Sequence, residues 1–326
     1  MAQALPNFKL EDTIRHYKIL QVIGSGGFAI IVHAYDSKQK REVAIKIIPR
    51  STAAKNDYLL YLEQELRLCT RFNHPNIVKV YEILYEPDTI MIVMEYIPKG
   101  DLHIIANNSF QISCKLKIQI AEGILNGLRY LHNRGICHRD IKLDNILLDE
   151  NYNPKIIDFG MSRENPTHLE TICGTENYIA PEVLMNGESY DGKKADIWSF
   201  GVLFYALMNG RFPWNENCCN PRYFKRIFEG SIQINIPQEG LSGMILKNSL
   251  IVDPNERFSS EQLLEMINSY TTKNQFSTGI SKMRKWNRGH IPRLSTKTKY
   301  VAPTELQLTP KIVKKLGMPS KWRKSI

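Results

Sequence analysis

Hydrophobic periodicity changes once along this chain, near residue 100, and that change constrains the fold more than any other feature. Before it, apolar residues mostly alternate. Residues 42–48 set Val43, Ile45 and Ile47 on one face and Ala44, Lys46 and Ile48 on the other, the period-two signature of a strand. Residues 17–23 and 90–96 read as further strands, the second ended by Pro98-Lys99-Gly100. One helix interrupts them, because Leu59, Leu62, Leu66 and Cys69 recur at helical spacing. Glu65 borders that buried face. From about 101 the spacing turns helical. Leu116, Ile120, Ile124, Leu128 and Leu131 form one stripe, stopped by Asn133-Arg134-Gly135. Residues 146–148 and 155–157 read as short strands, 196–208 as an apolar central helix and 259–267 as a last helix. The predicted class is α+β, with a small β-rich lobe over about 15–95, a larger helical lobe over about 101–268 and a cleft between them.

Net charge divides the chain a second way. The formal charge is +10, yet from residue 271 onward there are fourteen Lys or Arg and one acid, Glu305. The preceding 270 residues hold 29 basic and 32 acidic side chains. Residues 271–326 are therefore a basic tail with separate physics, and 1–14 an N-terminal extension. So charged a segment is expected to be largely extended or disordered in isolation. It suits an anionic surface: anionic lipid, nucleic acid or the acidic body of the same chain. The six cysteines, at 69, 114, 137, 173, 218 and 219, form no CxxC pair, so neither a zinc site nor a disulfide framework is indicated. The longest apolar run, 200–208, is far short of the roughly 20 residues a membrane span needs. With no signal-peptide core at the N-terminus, the expected location is the cytoplasm, the basic tail being compatible with the nucleus as well.

The chemistry concentrates in His138-Arg139-Asp140-Ile141-Lys142-Leu143-Asp144-Asn145 and in Asp158-Phe159-Gly160. Phosphoryl transfer from a nucleotide needs a carboxylate to orient the attacking hydroxyl, a cation for the moving phosphate, and oxygen ligands for magnesium. Asp140, Lys142, and Asn145 with Asp158 supply these types within about two dozen residues. Upstream, Gly24-Ser25-Gly26-Gly27-Phe28 forms a glycine-rich turn, followed by Val43-Ala44-Ile45-Lys46 and, nineteen residues past Lys46, by Glu65. Ala180-Pro181-Glu182 closes the segment that begins at Asp158.

As a set these motifs resemble the eukaryotic serine/threonine protein kinases, nearest the calmodulin-dependent and AMP-activated group, over about residues 15–268. The resemblance implies a two-lobed protein kinase fold, ATP and Mg2+ as cofactors, protein substrates and an upstream activating kinase. It implies that Lys46 grips the nucleotide phosphates and Glu65 holds Lys46 in place. Asp140 would orient the substrate hydroxyl, Lys142 would neutralise the γ-phosphate, and Asn145 and Asp158 would hold magnesium. Ile23, Gly24, Ser25, Gly26, Gly27 and Phe28 would cover the nucleotide. Ile31, Ala44 and Leu147 would sandwich the base, with Met94 behind it and the backbone of Glu95 and Ile97 bonding its edge. Thr171 matches an activating phosphorylation site and Arg139 its partner. Asp101 and Asp144 match acids that face a basic residue of the substrate, and Thr175 a threonine close to the acceptor. Glu182 with Arg257, and Asp196, match structural supports. The chain departs from the family at Ala29, where a third glycine is usual. Two other readings stand beside this one: a catalytically weak kinase-fold scaffold, and a binding protein acting through its basic tail.

Overall fold

The computed structural model describes residues 12–286, except 26–28, 54–57, 104–111, 166–168, 172, 185–188, 215–225, 228, 230 and 232; for 52–53, 58–61 and 274–286 it describes the backbone alone. The first lobe is one antiparallel sheet of β1 (Thr13–Ile14), β2 (Tyr17–Ser25), β3 (Ile30–Asp36), β4 (Arg41–Pro49), β5 (Val80–Tyr85) and β6 (Thr89–Glu95). The strands lie in the order β1-β2-β3-β4-β6-β5. Asp36 sets the β3–β4 hairpin, its Oδ1 accepting from the backbone N–H of Lys38 at 3.0 Å and of Gln39 at 2.9 Å. The sheet opens at Thr13, two residues before the expected lobe boundary.

The two faces of β4 separate as the alternation predicts. Val43, Ile45 and Ile47 join Tyr17, Val32 and Val93 in one core. Ile48 packs with Leu62 and Cys69 in another, beneath α2 (Tyr58–Cys69), which follows the short helix α1 (Arg50–Ala53). Ala29 belongs to that second core. Its methyl group is buried there, which gives the departure from glycine a packing role.

The second lobe is built on α3 (Cys114–His132), with β7 (Ile136–Cys137), β8 (Ile146–Leu148), β9 (Pro154–Ile156) and β10 (Arg163–Glu164) beside it. Ser113 caps α3, its hydroxyl accepting from Leu116 N–H at 3.2 Å. A Cβ at Gly127 would come within 2.7 Å of Ile156 Cδ1, so β9 lies directly on the helix backbone. The short helix α4 (Pro181–Leu184) leads to α5 (Gly192–Asn209). Asp191 caps the start of α5, and Gly210 ends it in the left-handed conformation at φ 65°. Trp198, Phe200 and Phe204 bury α5 at the lobe's centre. α6 (Gly240–Ser249) packs on α5, and α7 (Ser260–Trp286) packs on α3 and α6.

The last helix corrects the expected end near 267, running on to Trp286. Between Ile267 and Trp286 there is no proline and one glycine, Gly279, whereas Gly289 and Pro292 follow closely. Residues 287–326, including the rest of the basic tail, lie outside the described residues. Among the described residues no helix is long and apolar enough to cross a membrane.

The lobes meet along two backbone seams. Val78 N–H donates to Ile156 C=O at 3.0 Å, and Ile156 N–H to Asn76 C=O at 2.9 Å. Leu148 N–H donates to Gly100 C=O at 3.0 Å, and Lys99 N–H to Leu148 C=O at 3.2 Å.

Candidate active site

Lys46 reaches from β4 to α2. Its Nζ lies 2.7 Å from Glu65 Oε1 and 2.8 Å from Oε2. Glu65 is only 7% exposed. Burial, opposed by Lys46 and reinforced by nearby Asp158, lifts its carboxyl above the ordinary value. An anion so placed depends on its cation.

Below the sheet, Asp196 of α5 organises the loop after β7. Its Oδ2 accepts from His138 N–H at 2.8 Å and its Oδ1 from Arg139 N–H at 2.7 Å. His132 Nε2 contacts the same Oδ2 at 2.9 Å. These bonds hold Arg139 at φ 70°, a conformation costly for a non-glycine residue. The loop then delivers Asp140, which is 9% exposed. Its Oδ1 accepts from Thr175 Oγ1 at 2.7 Å, while Oδ2 receives Asn145 Nδ2 at 3.0 Å and Lys142 Nζ at 2.9 Å. Lys142 Nζ also donates to Thr175 Oγ1 at 2.9 Å. Four residues expected to act together thus share one hydrogen-bonded cluster.

Asp158 also has positive φ, 62°. Burial opposes its ionisation, but Lys46, the N–H of Gly160, His138 and Lys142 outweigh that and hold its carboxyl below the ordinary value. Phe159 packs inward against Phe72 and His138, with ring centroids 4.7 Å and 5.2 Å away. His138 is fully buried and its Nε2 meets Ile157 C=O at 3.0 Å, the structural place expected of it.

The chemistry of the donor set suits magnesium. Asn145 spends both amide hydrogens on Asp140, to its C=O at 2.8 Å and to its Oδ2. That leaves the amide oxygen for a cation beside the ionised Asp158. Among the described residues no group of three or more His, Cys, Asp or Glu is arranged to hold a metal ion by itself. Magnesium characteristically uses one or two protein oxygens together with substrate phosphates, so the set fits.

Other expected residues sit around this centre. Ala44 and Ile97 are buried, and Ile31, Met94 and Leu147 partly so. Glu95 is committed through its side chain to Lys79 N–H at 2.7 Å and Lys155 Nζ at 2.9 Å. Ile23, Gly24 and Ser25 close β2, while Gly26, Gly27 and Phe28 lie outside the described residues. Asp101 bridges Leu147 through its backbone. Arg139 Nη2 donates to Thr171 C=O at 2.8 Å, and Tyr190 OH to the same oxygen at 2.9 Å. Arg257, 1% exposed, holds Glu182 at 2.6 Å and 3.0 Å. Two features had no signal in local spacing. His103 Nδ1 lies 3.7 Å from Asp144 Oδ1, and Glu164 receives both Arg67 and Arg71.

Residues 17–268 match the protein kinase domain family. The chain is similar to Serine/threonine protein kinase OSK3 of Oryza sativa subsp. indica, 33% identical over 258 residues, covering 78% of this chain and 50% of that protein. It is similar to Serine/threonine-protein kinase kin-29 of Caenorhabditis elegans, 36% identical over 256 residues, 78% and 31% of the two chains. It is also similar to Carbon catabolite-derepressing protein kinase of Saccharomyces cerevisiae, 34% identical over 255 residues, 77% and 40%. The chain thus spans half the length or less of these relatives. With the family match covering most of the chain and the two-lobed fold consistent with it, the chain belongs to the protein kinase family.

Proposed function

We propose that this chain transfers the γ-phosphate of ATP to serine or threonine hydroxyls of protein substrates. The observation that carries the reading is the cluster in which Asp140 Oδ1 already accepts a threonine hydroxyl at 2.7 Å while Lys142 Nζ stands 2.9 Å from its other oxygen. A substrate hydroxyl in that position is oriented by Asp140, which takes its proton as the oxygen bonds to the γ-phosphorus and ADP leaves. Lys142 offsets the charge of the moving phosphoryl group. Lys46, held by Glu65, positions the phosphates of the nucleotide. Asn145 and Asp158 would hold Mg2+, which when bound supplies charge neutralisation between phosphate oxygens. Ala29 is accommodated by packing, so it gives no support to an inactive scaffold.

The substrate class is proposed to be basic on the N-terminal side of the acceptor, with arginine three residues before it. Asp144 stands beside the cluster with its side chain 52% exposed. The contact with His103 holds its carboxyl below the ordinary value, and the same contact raises the His103 imidazole. Protonated His103 therefore competes with an incoming arginine, and that competition disappears as pH rises through the imidazole range. A degenerate peptide library phosphorylated with ATP and Mg2+ is expected to select arginine at that position, more strongly at pH 8 than at pH 6. A preference for proline or for acids there would overturn this specificity, and no transfer to any peptide would overturn the kinase reading itself.

Activation is proposed to run through Thr171, phosphorylated by an upstream kinase. Thr171 is exposed, and Arg139, only 8% exposed, already bonds its backbone. Arg139 Nε is a buried donor with no hydrogen-bond partner among the described residues. A phosphate of about −1.5 to −2 charge offers acceptors for such a donor. Treatment with an activating kinase is expected to raise wild-type activity roughly tenfold or more, the scale of one charge-assisted bond. Thr171→Ala should show no rise, and an equal rise in both proteins would remove Thr171 as the switch.

A further inference from the structure

Helix α2 presents Glu65 inward, and two cations at its C-terminal end lie away from that face. Arg67 lies in its last turn and Arg71 just beyond its end, one turn apart. Like charges at that spacing repel unless an anion lies between them. The anion is Glu164. Arg67 Nη2 is 2.6 Å from its Oε2, and Arg71 Nη1 is 2.7 Å from its Oε1. Arg67 Nη2 also touches Gln64 Oε1 at 3.4 Å. Each carboxylate oxygen of Glu164 thus serves a different arginine, the arrangement in which charge-assisted bonds fix direction as well as distance.

What Glu164 is attached to gives the fork its meaning. It sits six residues past Asp158, in β10, where it pairs with Ile136 of β7. β7 runs straight into His138, Arg139 and Asp140. The fork therefore joins the helix that carries Glu65 to the strand pair that carries the loop of Asp140. Its members are partly open to solvent, with side chains 56%, 54% and 28% exposed for Arg67, Arg71 and Glu164. Ion pairs of that kind add little to global stability. What they can bias is the position of a movable helix.

We propose that Glu164 is a positioning residue, a built-in acidic pin that keeps α2 where Glu65 meets Lys46, whether or not Thr171 carries a phosphate. The pin rests on the kinase reading above. It touches none of the reacting groups and acts only through α2. The Arg71 bond, with Arg67 beside it, holds the Glu164 carboxyl below its ordinary value, so the pin stays charged through the neutral range.

The test uses the full chain with Glu164→Gln, and the triple variant Glu164→Arg, Arg67→Glu, Arg71→Glu, which reverses the fork. Glu164→Gln is expected to lower kcat about fivefold, the loss of two exposed pairs near the middle of their usual range, with the peptide KM unchanged. The fall should be of the same size in a Thr171→Ala background, and the melting temperature should stay near wild type. The reversed fork should restore most of the rate, which a merely local packing effect would not. Amide hydrogen exchange across α2 should quicken in Glu164→Gln and return to wild type in the reversed fork. Unchanged kcat and unchanged exchange in Glu164→Gln would overturn the pin. So would a fall that the reversed fork does not repair. Should the wild-type chain transfer no phosphate, the kinase reading fails, and the exchange measurement still decides whether Glu164 holds α2.

Discussion

Asp140→Asn is expected to lower kcat by about 10²–10⁴-fold, the usual scale for a lost general base, with folding near wild type. Asparagine keeps the size and planarity of the side chain but replaces one acceptor oxygen with a donor. Oδ2 faces two donors, Asn145 Nδ2 at 3.0 Å and Lys142 Nζ at 2.9 Å, whereas Oδ1 faces the hydroxyl of Thr175 at 2.7 Å. The amide settles with its oxygen toward the two donors, because a hydroxyl can turn to accept and an ammonium cannot. Its NH2 then points to where a substrate hydroxyl must give up a proton. Binding survives and transfer does not. Steady-state kinetics on a peptide substrate, alongside a thermal melt, check both halves. Wild-type kcat in the variant would end the assignment of Asp140.

Lys46→Met should be equally damaging to activity, and it carries a second effect that depends on pH. The substitution removes the cation from a glutamate that is 7% exposed and near Asp158. Removing one partner of a buried ion pair costs about 3–5 kcal/mol when the other stays charged. Glu65 already has a raised carboxyl, and without Lys46 it rises further. A group whose folded pKa exceeds its unfolded value binds more protons in the native state, so stability falls as pH rises between the two values. The variant is therefore expected to melt closer to wild type at pH 5 than at pH 8. Adding Glu65→Gln should recover stability at pH 8 without recovering phosphotransfer. Denaturation of the three proteins at both pH values tests this, and a pH-independent deficit in Lys46→Met would contradict the account of Glu65.

Local pattern made much of the molecule legible in advance. The two-faced alternation of residues 42–48 needed only a period of two, and the structure assigns Val43 and Ile48 to separate cores accordingly. The residues of the phosphoryl-transfer cluster stood out because they lie close in sequence, so their spacing survives as spatial proximity. Thr175 was the exception, brought 2.7 Å from Asp140 across 35 positions and named only through family resemblance. The fork at Glu164 stayed hidden because Arg71 and Glu164 are 93 positions apart. The end of α7 was misjudged for a different reason. Loss of the apolar stripe after Ile267 ends a buried face, but a helix needs a breaker to stop, and polar residues there are not breakers.

The two backbone seams give the lobes a mechanical geometry. One ties residues 76 and 78 to β9, the other ties residues 99 and 100 to β8. Relative displacement of two bodies is smallest where backbone bonds tie them and grows with distance from those ties. Val80 starts β5 just past the first seam, and β5 forms one edge of the six-stranded sheet, whereas β1 forms the other. The seams thus lie toward the β5 side of the sheet, and the strand order sets β1 and then β2 farthest from β5. Phe72, a few residues before the same seam, adds an aromatic contact with Phe159 across the boundary.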